Sequence, residues 1–168
     1  MNKYTLAVLV KNEFGVLNRV TSMFRRRQFN ITSLTVSETE SEEFSRITVQ
    51  SEGDEIKKQQ LINQLYKLPD IVSVAELSNT ETVNRELMLI KMANDPATRA
   101  DVRSAIDAFE GKIVDYTKES QTIQMVGDSQ KIDNFIELMK EFGILEICRT
   151  GVVALQRGGS TIRKVTNF

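Results

Sequence analysis

One short loop carries the residue types from which a small-molecule site could be built. The segment Asn12-Glu13-Phe14-Gly15 stands between an apolar run and the first residues of a helical pattern. The first N–H groups of a helix have no partners within the helix and carry a partial positive charge, so they attract anions. Gly15 has no Cβ and would let a ligand approach the backbone closely. The loop is therefore a candidate site for the carboxylate of a free amino acid.

Two asparagines could complete such a site. The side-chain oxygen of Asn12 could accept a hydrogen bond from the ammonium group of a free amino acid. Asn30 begins the second predicted strand, and we expect that point to lie beside the start of the first helix. The alternative is that Asn12 and Gly15 only cap the helix and that Asn30 is a turn residue. Such caps are common, so the loop residues alone favour this alternative.

The apolar pattern predicts two copies of one unit, each with the order strand, helix, strand, strand, helix, strand. The strands of the first copy are expected around 4–10, 30–36, 44–49 and 71–77. Those of the second copy are expected around 87–90, 113–114, 123–126 and 144–147. Asp54 and Ser129 are the expected N-caps, and Gly111 is expected to end the third helix. The predicted fold class is α+β, with tandem ferredoxin-like βαββαβ units.

The two units are predicted at residues 1–78 and 85–168, joined by a polar linker at 79–84. Each unit would leave one sheet face, or a sheet edge, to pair with something else. Units of this size have thin cores, because small domains bury a smaller fraction of their surface. A homodimer is therefore expected. The glycine-containing basic tail after Leu155 is expected to be solvated.

Composition excludes several classes of function. The chain has 22 basic and 23 acidic side chains and a net charge of −1, so nothing suggests a nucleic-acid partner. No apolar stretch approaches the roughly 18 residues that would cross a membrane. There is no histidine and one cysteine, which leaves almost nothing to bind a metal. We expect Cys148 to be buried and inert, and the chain to be cytoplasmic.

An ordered set of motifs covers nearly the whole chain. Its members are 12–17, 29–34, 45–48, 64–74, 85–91, 109–115 and 151–158, with the sequences NEFGVL, FNITSL, SRIT, QLYKLPDIVSV, RELMLIK, FEGKIVD and GVVALQRG. With these motifs the chain resembles the small regulatory subunits of acetolactate synthase, also called acetohydroxyacid synthase. Its first unit resembles an ACT domain.

The resemblance implies a non-catalytic subunit that gives feedback control of branched-chain amino-acid synthesis. Valine, or another branched-chain amino acid such as leucine or isoleucine, would bind between the ACT domains of a homodimer. The family's contacts match Asn12, Gly15 and Asn30, and this reverses the preference for the capping alternative. Further neighbours of the ligand are expected at Phe14, Val16 and Ile31.

Catalysis would belong to a large catalytic subunit that carries thiamine diphosphate, Mg²⁺ and FAD, with no cofactor on this chain.

One residue departs from the family pattern. Gln28 stands where the family usually has glycine, so it must end the first helix without glycine's access to positive φ.

Three alternatives stay open. The chain could be a stand-alone ACT-type sensor that acts on another partner. It could be an acylphosphatase-like hydrolase, since Gly15-Val16, Arg19 and Asn30 faintly match that signature. It could be an RNA-binding module, although the third strand lacks the aromatic pattern that stacks bases.

The second unit has Asn94-Asp95-Pro96 in place of the glycine loop, so we expect it to bind no amino acid and to serve assembly.

Overall fold

The computed structural model describes residues 2–77 and 81–164. It divides into two compact units, one formed by the residues up to 84 together with those from 152 onward, the other by residues 85–151. Residues 78–80, which hold the end of the predicted first domain and the start of the predicted linker, lie outside the described residues. Residues 82–84 of that linker are already strand. The predicted second domain ran to residue 168, whereas the described residues from 152 onward pack with the first unit.

The first unit is a four-stranded sheet with two helices on one face. Its elements are β1 (Asn2–Lys11), α1 (Val16–Arg26), β2 (Ile31–Glu38), β3 (Phe44–Gly53), α2 (Glu55–Leu65) and β4 (Ile71–Leu77). The strand order is β2-β3-β1-β4, and each neighbouring pair is antiparallel. This is the predicted ferredoxin-like arrangement, and it places β2 and β4 at the edges of the sheet.

The second unit repeats that topology. Its elements are β5 (Thr82–Ala93), α3 (Arg99–Ala108), β6 (Lys112–Tyr116), β7 (Ser120–Gly127), α4 (Ser129–Met139) and β8 (Ile144–Arg149). The order β6-β7-β5-β8 matches that of the first sheet position by position. The fold class predicted from the repeat is therefore confirmed.

The core of the first unit lies between its sheet and its helices. Leu6, Val8 and Val10 alternate along β1 and pack on the helix-facing side with Val20 and Phe24 of α1. Period two in the strand and period 3.6 in the helix bring these residues to one layer. β1 is also buried on its other side, where Ala7 and Leu9 point away from the helices. This explains why residues 6–10 of β1 are apolar without interruption.

The chain's own tail covers that other sheet face. Val152, Ala154 and Ile162 pack in a second apolar cluster with Ala7 and Leu9. The short strand β9 (Val153–Gln156) lies in this tail. Arg46 Nη2 donates to the carbonyl of Ala154 at 2.7 Å, and Ser73 Oγ donates to the carbonyl of Ile162 at 2.6 Å. After Leu155 the tail is exposed at 157–161 and at Arg163, as predicted, whereas Ile162 is buried against this face together with Val152 and Ala154.

Two chain reversals depend on a residue with positive φ that is not glycine. Gln28 follows α1 with φ of 59°, and Glu110 follows α3 with φ of 57°. The sequence correctly indicated strain at Gln28 but wrongly assigned the end of α3 to Gly111. Gly111 is closely packed instead, since a Cβ there would lie 3.2 Å from Ile106 Cγ2.

Capping was predicted correctly at one helix and shifted by one residue at another. Asp54 caps α2 by accepting a hydrogen bond from Lys57 N. Asp128, not Ser129, caps α4 by accepting from Lys131 N at 2.8 Å.

Cys148 was expected to be buried but is exposed. None of the described helices is long and apolar enough to span a membrane.

Candidate ligand-binding site

The start of α1 is open to a ligand. Gly15 is the N-cap residue and adopts a left-handed conformation with φ of 81° and ψ of −1°. No side chain within the described ranges caps this helix, in contrast to α2 and α4, where an aspartate does so. The free N–H groups of a helix start attract negative charge. The loop can therefore offer backbone donors to an anionic group.

Asn12 does not cap the helix but joins the loop to the β2–β3 turn. Its Nδ2 donates to the carbonyl of Glu42 at 3.0 Å, and its backbone N–H donates to the carbonyl of Glu43 at 2.8 Å. Its Oδ1 accepts a hydrogen bond from Ser45 Oγ at 3.0 Å. A carbonyl oxygen has two lone pairs, so one acceptor position remains. Asn12 can thus accept one further hydrogen bond.

Glu38 and Ser45 also belong to this corner, and sequence reasoning assigned neither of them to the site. Glu38 pairs with Ser45 in the β2–β3 register, and Lys11 pairs with Phe44 in the β1–β3 register. This brings the ends of all three strands together, and Glu38 Oε1 lies 3.5 Å from Asn12 Nδ2. The pairing register, once assigned from the two predicted strands, could have placed Glu38 beside Asn12.

An ion pair borders the loop on the side of β4. Arg19 Nε lies 2.6 Å from Asp70 Oδ2, and the two side chains are 43% and 9% exposed. The carbonyl of Asp70 accepts from the backbone N–H of Lys11 at 2.9 Å, so β1, β4 and α1 meet here. A Cβ added to Gly15 would lie 3.3 Å from Arg19 Nη1. Sequence reasoning considered Arg19 only for the acylphosphatase alternative.

The three further neighbours predicted for the ligand lie in different environments. Phe14 is fully exposed at the tip of the loop. Val16 is buried in the core, so only its backbone can face a ligand. Ile31 is half-buried and packs against the same core from the other end of β2.

Asn30 does not lie beside the start of α1 in the same chain, and that expectation is wrong. It precedes Ile31, which pairs with Ser51, whereas the loop lies level with Glu38 at the opposite end of β2. Seven residues of extended strand separate the two ends by roughly 23 Å. The carbonyl of Asn30 accepts from Ser51 Oγ at 2.6 Å. The acylphosphatase-like set of Arg19 and Asn30 is therefore not assembled within one chain.

The second unit contains a closed counterpart of the Asn12 corner. Asn94 ends β5 as Asn12 ends β1, and its backbone N–H donates to the carbonyl of Glu119 at 2.9 Å. Its Nδ2 donates to the carbonyl of Thr117 at 2.6 Å. Its Oδ1, however, accepts from Arg99 Nε at 2.8 Å. The chain's own guanidinium thus bonds to the buried asparagine oxygen that corresponds to Asn12 Oδ1.

A cavity on the tail side of the first unit adjoins this corner at Glu38. It has a volume of about 420 Å³ and is lined in part by Leu9, Arg46, Leu155 and Arg163. Asn12 and Gly15 do not line it. Across residues 2–77 and 81–164, no group of three or more His, Cys, Asp or Glu side chains could hold a metal ion.

These features define a class of protein that consists of two ferredoxin-like units in tandem. In the first unit, as in ACT domains, a glycine opens the start of the first helix. Residues 6–73 match the family described as the AHAS small subunit-like ACT domain, and residues 85–158 match the family described as the small subunit of acetolactate synthase.

Acetolactate synthase small subunits from other organisms are similar to this chain over more than 90% of its length. The chain is 45% identical to the probable acetolactate synthase small subunit of Archaeoglobus fulgidus, over 93% of this chain and 98% of the relative. It is 42% identical to the acetolactate synthase small subunit of Bacillus subtilis, over 93% and 91%. The crystal structure of the small subunit from Thermotoga maritima superposes with a TM-score of 0.86 at 34% identity, covering 95% of this chain and all of that one. The chain belongs to the acetolactate synthase small-subunit family.

Proposed function

We propose that this chain is the non-catalytic regulatory subunit of an acetolactate synthase and that a branched-chain amino acid binds at its Gly15 corner. Bound ligand would favour a less active form of a large catalytic subunit, on which thiamine diphosphate, Mg²⁺ and FAD reside. The observation that carries the proposal is the uncapped, glycine-opened start of α1 beside Asn12 and Glu38. Helix N–H groups suit a carboxylate, and the Asn12 oxygen suits an ammonium group.

The second unit supports the role given to Asn12. At the matching position, a cationic side chain donates to Asn94 Oδ1 at 2.8 Å. Among the described residues of the first unit, no such cation is hydrogen-bonded to Asn12 Oδ1, whose partner is Ser45 Oγ. A ligand ammonium would make there the contact that Arg99 makes within the second unit. The same comparison supports the expectation that the second unit binds no amino acid.

Exposed apolar side chains near the corner support an aliphatic ligand and a second copy of the chain. Phe14, Leu17 and Val36 are all exposed. Arg19 points towards Asp70, and Leu17, about 200° away around the helix, points to the opposite side. Leu17 and Val36 thus leave an apolar surface on the β2 side of the unit, which can contact both the ligand side chain and a partner.

A homodimer joined through β2 would bring Asn30 to the site. β2 is an edge strand, and edge strands can pair with another chain. If two β2 strands pair antiparallel about their midpoint, Asn30 of one copy lies level with residue 39 of the other. That position adjoins Glu38 and Asn12. The roughly 23 Å that separate Asn30 from the loop within one chain would then be removed by symmetry.

The regulatory role is tested by reconstitution with a catalytic subunit. The chain is co-purified with an acetolactate synthase large subunit, and acetolactate formation is measured with increasing valine, leucine or isoleucine. We expect at least one of the three to inhibit only the reconstituted complex. Failure to co-purify, together with ligand binding by the free chain, would instead favour a stand-alone sensor.

The dimer is tested with a matched pair of edge substitutions. Val36 on β2 and Val72 on β4 are each 39% exposed, so glutamate should be tolerated equally well by the fold of either variant. We expect Val36→Glu to shift the chain towards monomer and to weaken valine binding, and Val72→Glu to change neither. Analytical ultracentrifugation and calorimetry measure the two effects. A dimer that withstands Val36→Glu and dissociates with Val72→Glu would place the interface on the opposite edge.

A further inference from the structure

Among the described residues, Arg19 places its cationic side chain next to the Gly15 loop. A Cβ at Gly15 would meet only Arg19 Nη1, at 3.3 Å. We infer that Arg19 binds the ligand carboxylate together with the backbone N–H groups of α1, and that it thereby fixes which way round the amino acid lies. This inference rests on the proposed function and adds a specificity-determining residue to it.

Charge is distributed unequally across the corner. On the β2 side lie the carboxylate of Glu38 and the acceptor oxygen of Asn12, whereas Arg19 stands on the β4 side beside Asp70. Gly15 lies between the two groups. A zwitterion fits this arrangement in only one orientation, with its ammonium towards Asn12 and its carboxylate towards Arg19. A bound amine without a carboxylate would lose half of these interactions.

Asp70 holds the guanidinium in place for this role. The Asp70 residue is 6% exposed and bonds Arg19 through Nε, at 2.6 Å. A guanidinium has five N–H donors in a fixed plane, so bonding through Nε leaves the Nη donors available on the side of the loop. Arg19 itself is 43% exposed, so a ligand can reach its remaining donors. Lysine, with one small charged centre, cannot reproduce both contacts.

The test compares two ligands across a series of full-length variants. Valinamide has the same side chain and ammonium group as valine but no carboxylate charge. Calorimetry measures the ratio of the Kd for valinamide to the Kd for valine at neutral pH. The variants are Arg19→Lys and the double variant Arg19→Gln with Asp70→Asn, in which no buried carboxylate is left without a partner. Arg26→Gln, at the exposed far end of the same helix, is the matched control.

We expect wild type and Arg26→Gln to prefer valine strongly, and the preference to fall about tenfold or more in both Arg19 variants, as for the loss of a charge-assisted hydrogen bond. Unchanged preference in the folded Arg19 variants would overturn the inference and leave the proposed function intact. Equal weakening of both ligands would also overturn it, because Arg19 would then act only on the shape of the loop. Wild type that binds neither ligand would refute the proposed function itself. Circular dichroism confirms that each variant is folded.

Discussion

Aspartate and asparagine at position 15 form a pair of substitutions that differ only in charge. Gly15 has φ of 81°, and Asn and Asp are the non-glycine residues that tolerate this region best. Both variants therefore carry nearly the same backbone cost and the same added volume. The difference in valine affinity between Gly15→Asp and Gly15→Asn isolates the repulsion between the new carboxylate and that of the ligand.

The expected size of this repulsion follows from the local geometry. Two carboxylates about 5 Å apart, at an effective dielectric constant of about 20, repel each other by roughly 3 kcal/mol. The ammonium group of the same ligand attracts the new carboxylate from farther away and should offset about half of that repulsion. The attraction between this carboxylate and Arg19 is present with and without ligand, so it does not enter the difference. The remaining roughly 1.4 kcal/mol corresponds to about a tenfold higher Kd for the aspartate variant.

Isothermal titration of the purified chain with valine measures both variants. The difference should shrink at high ionic strength, since salt screens charges at an exposed loop. If the asparagine variant binds valine as weakly as the aspartate variant, or if both bind it like wild type, the carboxylate is not held at the start of α1 and the reasoning fails.

Three further predictions concern the fold around the site. Gln28→Gly should raise the free energy of unfolding in urea by about 0.5–1 kcal/mol, because glycine adopts positive φ without strain; a decrease would contradict it. Asn94→Ala should lower the free energy of unfolding by about 2–3 kcal/mol, because buried hydrogen bonds are lost, and should leave valine affinity unchanged. Asn12→Ala should weaken valine binding and change stability little. Equal effects of the two substitutions on stability and on affinity would contradict the view that Asn94 is the closed counterpart of Asn12. Lys131 lowers the pKa of Glu110 through a hydrogen bond and its charge, so this pair stabilises the fold above about pH 4.3 and loses its effect as the carboxylate protonates. NMR titration should show the Glu110 pKa return to its ordinary value in Lys131→Met.

Periodicity was enough to predict the order of elements and the repeat. Alternation in the strands and the helical stripe of Val16, Val20 and Phe24 identify each element, because one face must be buried. The placement of Asn30 could not be read in this way. α1 spans 11 residues, or about 16 Å at 1.5 Å per residue, so it carries the chain to the far end of the sheet before β2 begins. The sequence analysis was therefore wrong to place the start of β2 beside the start of α1 within one chain.

Other features depend on contacts that no local pattern contains. The tail residues Val152, Ala154 and Ile162 are too few to indicate which surface they cover. Glu110, not the adjacent Gly111, adopts positive φ after α3, while Gly111 packs closely against Ile106. The bond between Arg19 and Asp70 joins residues that are 51 positions apart along the chain. Local propensity cannot reveal such pairs, since tertiary structure alone brings them together.

The central proposal is that a zwitterion occupies the Gly15 corner between two copies of this chain. A crystal structure of the full-length protein grown with saturating valine tests it most directly. We expect density at the start of α1, with the carboxylate between the helix N–H groups and Arg19, the ammonium on Asn12 Oδ1, and Asn30 of the second copy against the ligand. An empty corner at saturation, or valine bound only in the tail-side cavity beside Arg46 and Arg163, would contradict the proposal.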